Sequence, residues 1–253
     1  MEKSLKTVAL PKEHGSWALT FEPLILALIV GYSLPGLFLF FGAAFAFLAH
    51  QPVRILLTKK NHSKLAATFL LIYGIPAAFF MILFLRLVSW NTALPLLLAL
   101  VLMFLYLIAE YFNLHRKLLT EMMASVAMGL IALSIVINGG WNWPEAFPFL
   151  ILLYLRSLST TLYVHYRLKL ERKQPVSTFW SEIWQVLTLI IAFLLYFKYN
   201  LPWLAFLSIL ILGIRGIYGL SAWRKPMTVK QIGLAEFFYG LIFVTLSSIG
   251  YLI

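Results

Sequence analysis

The stretch PKEHGSWALTFEPLILALIVGY, residues 11–32, sets a short polar arm directly against a long apolar run. Pro11-Lys12-Glu13-His14-Gly15-Ser16-Trp17 supplies a cation, a carboxylate, an imidazole and a hydroxyl; from Trp17 to Tyr32 the one charged residue is Glu22. A helix covers the hydrocarbon of a bilayer with about 20 apolar residues. The run therefore reads as a membrane span, and the arm as polar material held at the membrane surface. Residues 1–16 do not have the pattern of a signal peptide, because a Pro, a Glu and a His interrupt the approach and no small-residue cleavage site follows. The span that starts at Trp17 is expected to be retained.

Working outward, the same apolar pattern recurs to the end of the chain. The 253 residues are 62% hydrophobic and 11% charged, with a mean hydropathy of +0.91. Soluble domains carry about 25% charged residues, so a water-soluble domain is excluded. Breakers and charges divide the chain into nine expected spans: Trp17–Tyr32, Leu37–Val53, Leu65–Leu85, Ala93–Leu114, Leu118–Ile137, Phe147–Tyr166, Phe179–Phe197, Leu201–Ala222 and Ile232–Ile253. The expected fold is an all-α polytopic bundle forming one transmembrane domain over residues 1–253, with residues 1–16 as a cytosolic arm. Its first partner is the lipid bilayer.

The net charge of +11 is a matter of topology. Sixteen Lys and Arg fall on the N-terminal arm and on the loops after the second, fourth, sixth and eighth spans, against Arg86 and Lys198 on the other side. The positive-inside rule then puts the N-terminus in the cytoplasm and the C-terminus outside. Trp90, Trp141, Trp143 and Trp203 fall on the outer side, as an interfacial aromatic belt requires. Nucleic acid is not an expected partner, because the basic residues are spread over short loops with no fold to present them.

Ionisable residues within spans cost about 2.5–3.5 kcal/mol each on insertion scales and so mark function. Tyr106, Glu110, Asn113 and Lys117 are four, three and four residues apart, which is one helix face. Arg156, Thr160, Tyr163 and Arg167 repeat that spacing; His50 and Arg54 are four apart; Arg215 and Tyr218 share a face. Glu13, Glu121, Glu182 and Glu236 begin helices on the same side. For Glu121 and Glu236 the bland account is complementation of the helix dipole. For Arg167, Lys117 and the loop lysines it is topology, and for His62 a solvated loop. Glu110, Arg156 and Arg215, with Glu22 beside them, lie too deep for that. They form either a structural ion-pair network or a ligand cavity.

A cavity with Arg, Tyr and Asn in apolar walls suits an amphipathic anion, such as an isoprenoid, quinone or lipid bearing a phosphate, diphosphate or carboxylate. In that reading Arg54, Arg156 and Arg215 hold the anion. Glu110 orients them or acts as a base, and His14 caps the opening from the arm. Lys12, Glu13, His50, Asn113, Tyr163, Arg167 and Glu236 complete the lining. No metal site is expected: the chain has no cysteine, and His14, His50, His62, His115 and His165 include no pair at the spacing of a helical metal motif. No Ser–His–acid arrangement suggests a hydrolase.

The run Pro11–Trp17, at the head of a chain of this length and hydropathy, resembles the N-terminal signature of the YwiC-like family, which implies a bacterial membrane protein. A looser resemblance is to the UbiA-type intramembrane prenyltransferases, which have nine spans and polar clusters at the cytosolic ends of the second and sixth. Those enzymes hold a prenyl diphosphate through Mg²⁺ and Asp-rich motifs. Here the matching turns read His50-Gln51-Pro52-Val53-Arg54 and Tyr163-Val164-His165-Tyr166-Arg167, and the chain contains no Asp. The expected substitute is direct contact between Arg or Lys and the anionic head, without a cofactor. Two alternatives stand beside this reading. A transporter or exporter of an anion or amphipathic molecule would need broken helices, for which Pro76 and Pro95 are the candidates. A non-catalytic scaffold subunit would need only the ion pairs. Oligomeric state is left open by the sequence.

Overall fold

The computed structural model describes residues 8–10, 14–58, 63–112 and 118–253, the side chains of residues 14–16 and 91 excepted. Among the described residues the structure is helical throughout, with nine helices of 17 residues or more: α1 (His14–Val30), α2 (Leu34–Leu57), α3 (Ser63–Leu87), α4 (Trp90–Tyr111), α5 (Leu118–Asn138), α6 (Trp143–Glu171), α7 (Phe179–Tyr199), α8 (Trp203–Leu220) and α9 (Val229–Leu252). Eight of them are long and apolar enough to cross a bilayer. The exception is α1, whose 17 residues span about 25 Å at 1.5 Å per residue, short of the roughly 30 Å hydrocarbon. The protein is a multi-pass integral membrane protein.

Several helix ends differ from the sequence expectation, each for a local reason. Ser33-Leu34-Pro35-Gly36 is the start of α2, not a separate turn: the Ser33 hydroxyl accepts from the Gly36 backbone N–H at 3.0 Å, and Pro35 sits in the first turn, where its missing N–H costs nothing. Likewise α6 begins at Trp143, four residues before the expected Phe147. Asn142 and Glu145 form a reciprocal capping box there, with Pro144 in the first turn. At its other end α6 runs on to Glu171, because Arg167 and Glu171 pair across one turn at 2.9 Å. Pro76 and Pro95 lie inside α3 and α4 without interrupting them, so these expected candidates for broken helices are continuous helix.

The helices sort into two compact units, residues 1–141 and 142–253. In the first, α5 is the buried centre and packs against α1, α2 and α4. Its approach to α1 is close. A Cβ on Gly31 would stand 2.8 Å from the Val136 Cα, and one on Gly139 would collide with the Gly31 backbone. Small residues at helix contacts are the membrane solution, since lipid gives apolar side chains no reason to cluster and dispersion needs close backbones. α3 packs on α2 and turns Leu71, Ile72, Ile75, Phe79 and Ile82 outward, an apolar face suited to lipid. In the second unit α8 is the centre, packed against α6, α7 and α9.

Candidate functional site

The first unit places one polar cluster at the C-terminal ends of α2 and α4. Four-residue spacing puts His50 and Arg54 on one face of α2, and both reach the same carboxylate on α4. His50 Nε2 lies 2.8 Å from Glu110 Oε2, and Arg54 Nε lies 3.5 Å from Glu110 Oε1. Glu110 is buried, whereas His50 and Arg54 keep about a fifth of their side chains exposed. Tyr106, one turn earlier on α4, sets its ring 5.4 Å from the His50 imidazole. The cluster gathers one permanent cation, one carboxylate and one titratable ring.

The second unit holds a deeper cluster, built from α6, α8 and α9. Arg156 and Thr160 are one turn apart on α6, and Arg156 Nη1 donates to the Thr160 hydroxyl. Arg215 on α8 reaches the same oxygen: its Nη2 donates to Thr160 Oγ1 at 3.3 Å and to Glu236 Oε2 on α9 at 2.9 Å. One hydroxyl thus accepts from two guanidinium groups. The Arg215 guanidinium also meets two aromatic rings, with its Cζ 4.1 Å from the Tyr163 ring centre and 5.2 Å from that of Tyr239. Such contacts add about 2 kcal/mol when desolvated. Arg156 has the Phe243 ring at 5.8 Å.

Arg215 retains 8% of its exposure, and its Nε and Nη1 have no hydrogen-bond acceptor among the described residues. In a membrane interior water cannot satisfy such donors, and an unmade bond to a charged group is costly. The arrangement is therefore a buried cation against two aromatic rings, with donor capacity that no acceptor among the described residues uses.

Several expected residues fall elsewhere. Lys12, Glu13 and Asn113 lie outside the described residues, as do Lys117, His62 and the side chain of His14. Arg167 is buried, and both of its terminal nitrogens go to the protein: Nη1 to the Gly219 carbonyl and Nη2 to the Lys225 carbonyl, with Glu171 beside them, while its Nε has no hydrogen-bond partner among the described residues. Arg224 joins the same carboxylate at 3.7 Å. This group ties the end of α6 to the end of α8 and the connection that follows. Tyr218 is exposed and does not join Arg215. Glu182 accepts from the Thr178 hydroxyl at 2.6 Å, the local role that a carboxylate in a first turn commonly has. Glu121 is exposed.

Two participants escaped the sequence reading. Tyr239 is three residues after Glu236 and so on its face, a signal that could have been read from spacing. Arg224 could not have been found that way, because its partner Glu171 lies 53 residues earlier. Gln185, three residues after Glu182 on α7, is buried and exchanges bonds with Ser159: the Ser159 hydroxyl donates to Gln185 Oε1 at 2.7 Å, and Gln185 Nε2 donates to the Ser159 carbonyl at 3.1 Å. Among the described residues no cluster of three or more His and Glu stands ready to hold a metal ion.

The model of the YwiC-like protein family matches residues 10–136, just over half of the chain. No curated protein and no solved structure matches it. The matched segment opens at the PKEHGSW run and takes in α1 to α4 and most of α5, including His50, Arg54 and Glu110. The chain belongs to the YwiC-like family.

Proposed function

We propose that this protein binds an amphipathic anion through the buried Arg215 cluster of its second unit, as an intramembrane enzyme or as a lipid-binding protein. The observation that carries the reading is Arg215 itself. A cation in a bilayer-spanning helix is expensive, and this one lies against the rings of Tyr163 and Tyr239 with two of its three nitrogens unused among the described residues. Arg156 brings a second guanidinium to the same hydroxyl. Guanidinium groups suit phosphate and carboxylate, whose oxygens match the fork of donors. The surrounding helices are apolar, so the rest of the ligand is an alkyl, isoprenoid or quinone-like chain. A prenyltransferase-like transfer is one form of this reading; because the chain contains no Asp, the anion would be met by arginine directly.

In this reading the cluster faces the cytosolic side of a bacterial cytoplasmic membrane, and the distribution of basic loops supports that orientation through the positive-inside rule. Support comes from the positions of Arg215 and Glu236, five residues before the end of α8 and seven after the start of α9, beside the basic connection between them.

The test is binding of dodecyl phosphate to the protein in a neutral detergent, with dodecanol as the uncharged control. Saturable binding of the phosphate, absent for the alcohol and lost in Arg215→Gln, is the expected result. Equal behaviour of the two probes, with Arg215→Gln only lowering thermal stability, would make the cluster a structural ion-pair network and favour the scaffold reading.

A further inference from the structure

We infer that Glu236 is the built-in competitor of the anion site: it occupies the one nitrogen of Arg215 that a two-oxygen anion needs, and ligand enters by exchanging with it. This rests on the anion-binding reading of the same cluster and adds how that site is regulated.

The argument comes from the shape of the guanidinium. Its five N–H donors lie in one plane and present two edges to a bidentate oxyanion, Nε with Nη2 and Nη1 with Nη2. Nη2 belongs to both edges. In this structure Nη2 already donates to two acceptors, Glu236 Oε2 at 2.9 Å and Thr160 Oγ1 at 3.3 Å. The unused donors, Nε and Nη1, sit on different edges. Each edge is therefore half engaged, and a carboxylate or phosphate cannot grip either edge with two oxygens until Nη2 is released.

Of the two present acceptors, Glu236 is the one that can leave. Thr160 is held in place by a second donor, Arg156 Nη1, and its short side chain is fixed to α6. Glu236 has a longer side chain and, among the described residues, is anchored by Arg215 alone. It is also the group whose departure is electrostatically balanced: an incoming monoanion replaces one negative charge on Arg215 with another. A neutral ligand has no such exchange to offer. The displaced Glu236 carboxylate would take up a proton or a new partner, so ligand entry and the charge on α9 are coupled. The ligand class this selects is a two-oxygen anion, a carboxylate or phosphate monoester, on an apolar chain.

The experiment compares dodecyl phosphate, dodecanoate and inorganic phosphate on the wild type, Glu236→Gln, Glu236→Asp and Arg215→Gln, by calorimetric titration in neutral detergent. Glu236→Gln keeps an oxygen acceptor for Arg215 and removes the competing charge. The expected result is a fall of about tenfold or more in the dodecyl phosphate Kd, in keeping with the coupling of close buried charge pairs. Glu236→Asp, with the carboxylate drawn back, gives an intermediate gain and serves where the Gln variant does not fold. Weak binding of inorganic phosphate beside tight binding of dodecyl phosphate identifies the source as a lipid-like head; equal binding identifies a free anion. If Arg215→Gln abolishes binding while both Glu236 variants bind as the wild type does, or more weakly, Glu236 is a positioning residue and the displacement inference is overturned with the anion site intact. If Arg215→Gln also binds normally, the anion site itself is wrong.

Discussion

His50 Nε2 stands 2.8 Å from Glu110 Oε2, and this contact joins α2 to α4 within the first unit. Arg54 approaches the other carboxylate oxygen at 3.5 Å, so one buried acid serves two partners. Removing the acid takes away the carboxylate that His50 and Arg54 share on α4. Glu110→Ala should therefore cost about 3–5 kcal/mol, the usual result of breaking a buried pair by deleting one partner. Glu110→Gln, which still accepts from His50, should cost about half as much. Thermal unfolding in detergent distinguishes the two variants. Equal and negligible losses would mean that the triad contributes no stability.

Arg167 invites a different prediction, because its neighbours are carbonyls. Its guanidinium donates to Gly219 and Lys225, holding the α8–α9 connection against the end of α6. Lysine keeps the charge but cannot reach two divergent carbonyls from one nitrogen. Arg167→Lys should lose about 1–3 kcal/mol as an acceptor goes unsatisfied. The sharper readout is trypsin cleavage after Arg224, which should quicken several-fold in the variant; Pro226 protects the bond after Lys225. Unchanged cleavage would separate Arg167 from the connection it touches.

How much of this could be read from the sequence depends on the range of the signal. Hydropathy and breakers gave the number and order of the helices, because a span is decided by some 20 neighbouring residues. The ends moved where capping chemistry decided them, as at Ser33 and Asn142, since Pro and Gly begin a helix as readily as they end one. Within the second unit, spacing placed Arg156, Thr160 and Tyr163 on one face of α6, and placed Arg215 and Glu236 near matching helix ends. Which of them meet is a matter of α6, α8 and α9 packing together, which no local pattern encodes. Arg167 shows the limit most clearly. By spacing it continues the Arg156 face, yet it turns to the carbonyls of Gly219 and Lys225.

Gly219 connects packing to the proposed site. A Cβ there would collide with the hydroxyl and ring of Tyr163, the same ring that lies 4.1 Å from the Arg215 guanidinium carbon. A ring edge in a packed interior has little room to give, and overpacking of this kind costs about 1–3 kcal/mol. Gly219→Ala should lower thermal stability by that amount and, by pushing Tyr163 aside, weaken dodecyl phosphate binding several-fold. Gly233→Ala, where nothing stands within 4 Å of the new Cβ, is the control and should change neither property. A Gly219→Ala protein that binds normally would show that the Tyr163 ring is dispensable to the site.

The proposed orientation rests on charge asymmetry, and the absence of cysteine makes it directly measurable. Ser177 and Ser89 are both exposed, one in the connection between α6 and α7 and the other just before α4. The first connection follows Arg167, Lys169, Arg172 and Lys173, whereas the second carries Arg86 as its one nearby cation. With the positive loops in the cytoplasm, Ser177→Cys should resist a membrane-impermeant maleimide in intact cells and react after permeabilisation. Ser89→Cys should react in both cases. The opposite pattern would invert the protein and put the Arg215 cluster toward the outer leaflet, where its ligand would be an extracytoplasmic lipid. Labelling of both sites from outside would rule out the odd number of crossings between them that the helix order implies: α4, α5 and α6 lie between Ser89 and Ser177, so the two positions must face opposite sides if each of those helices crosses once.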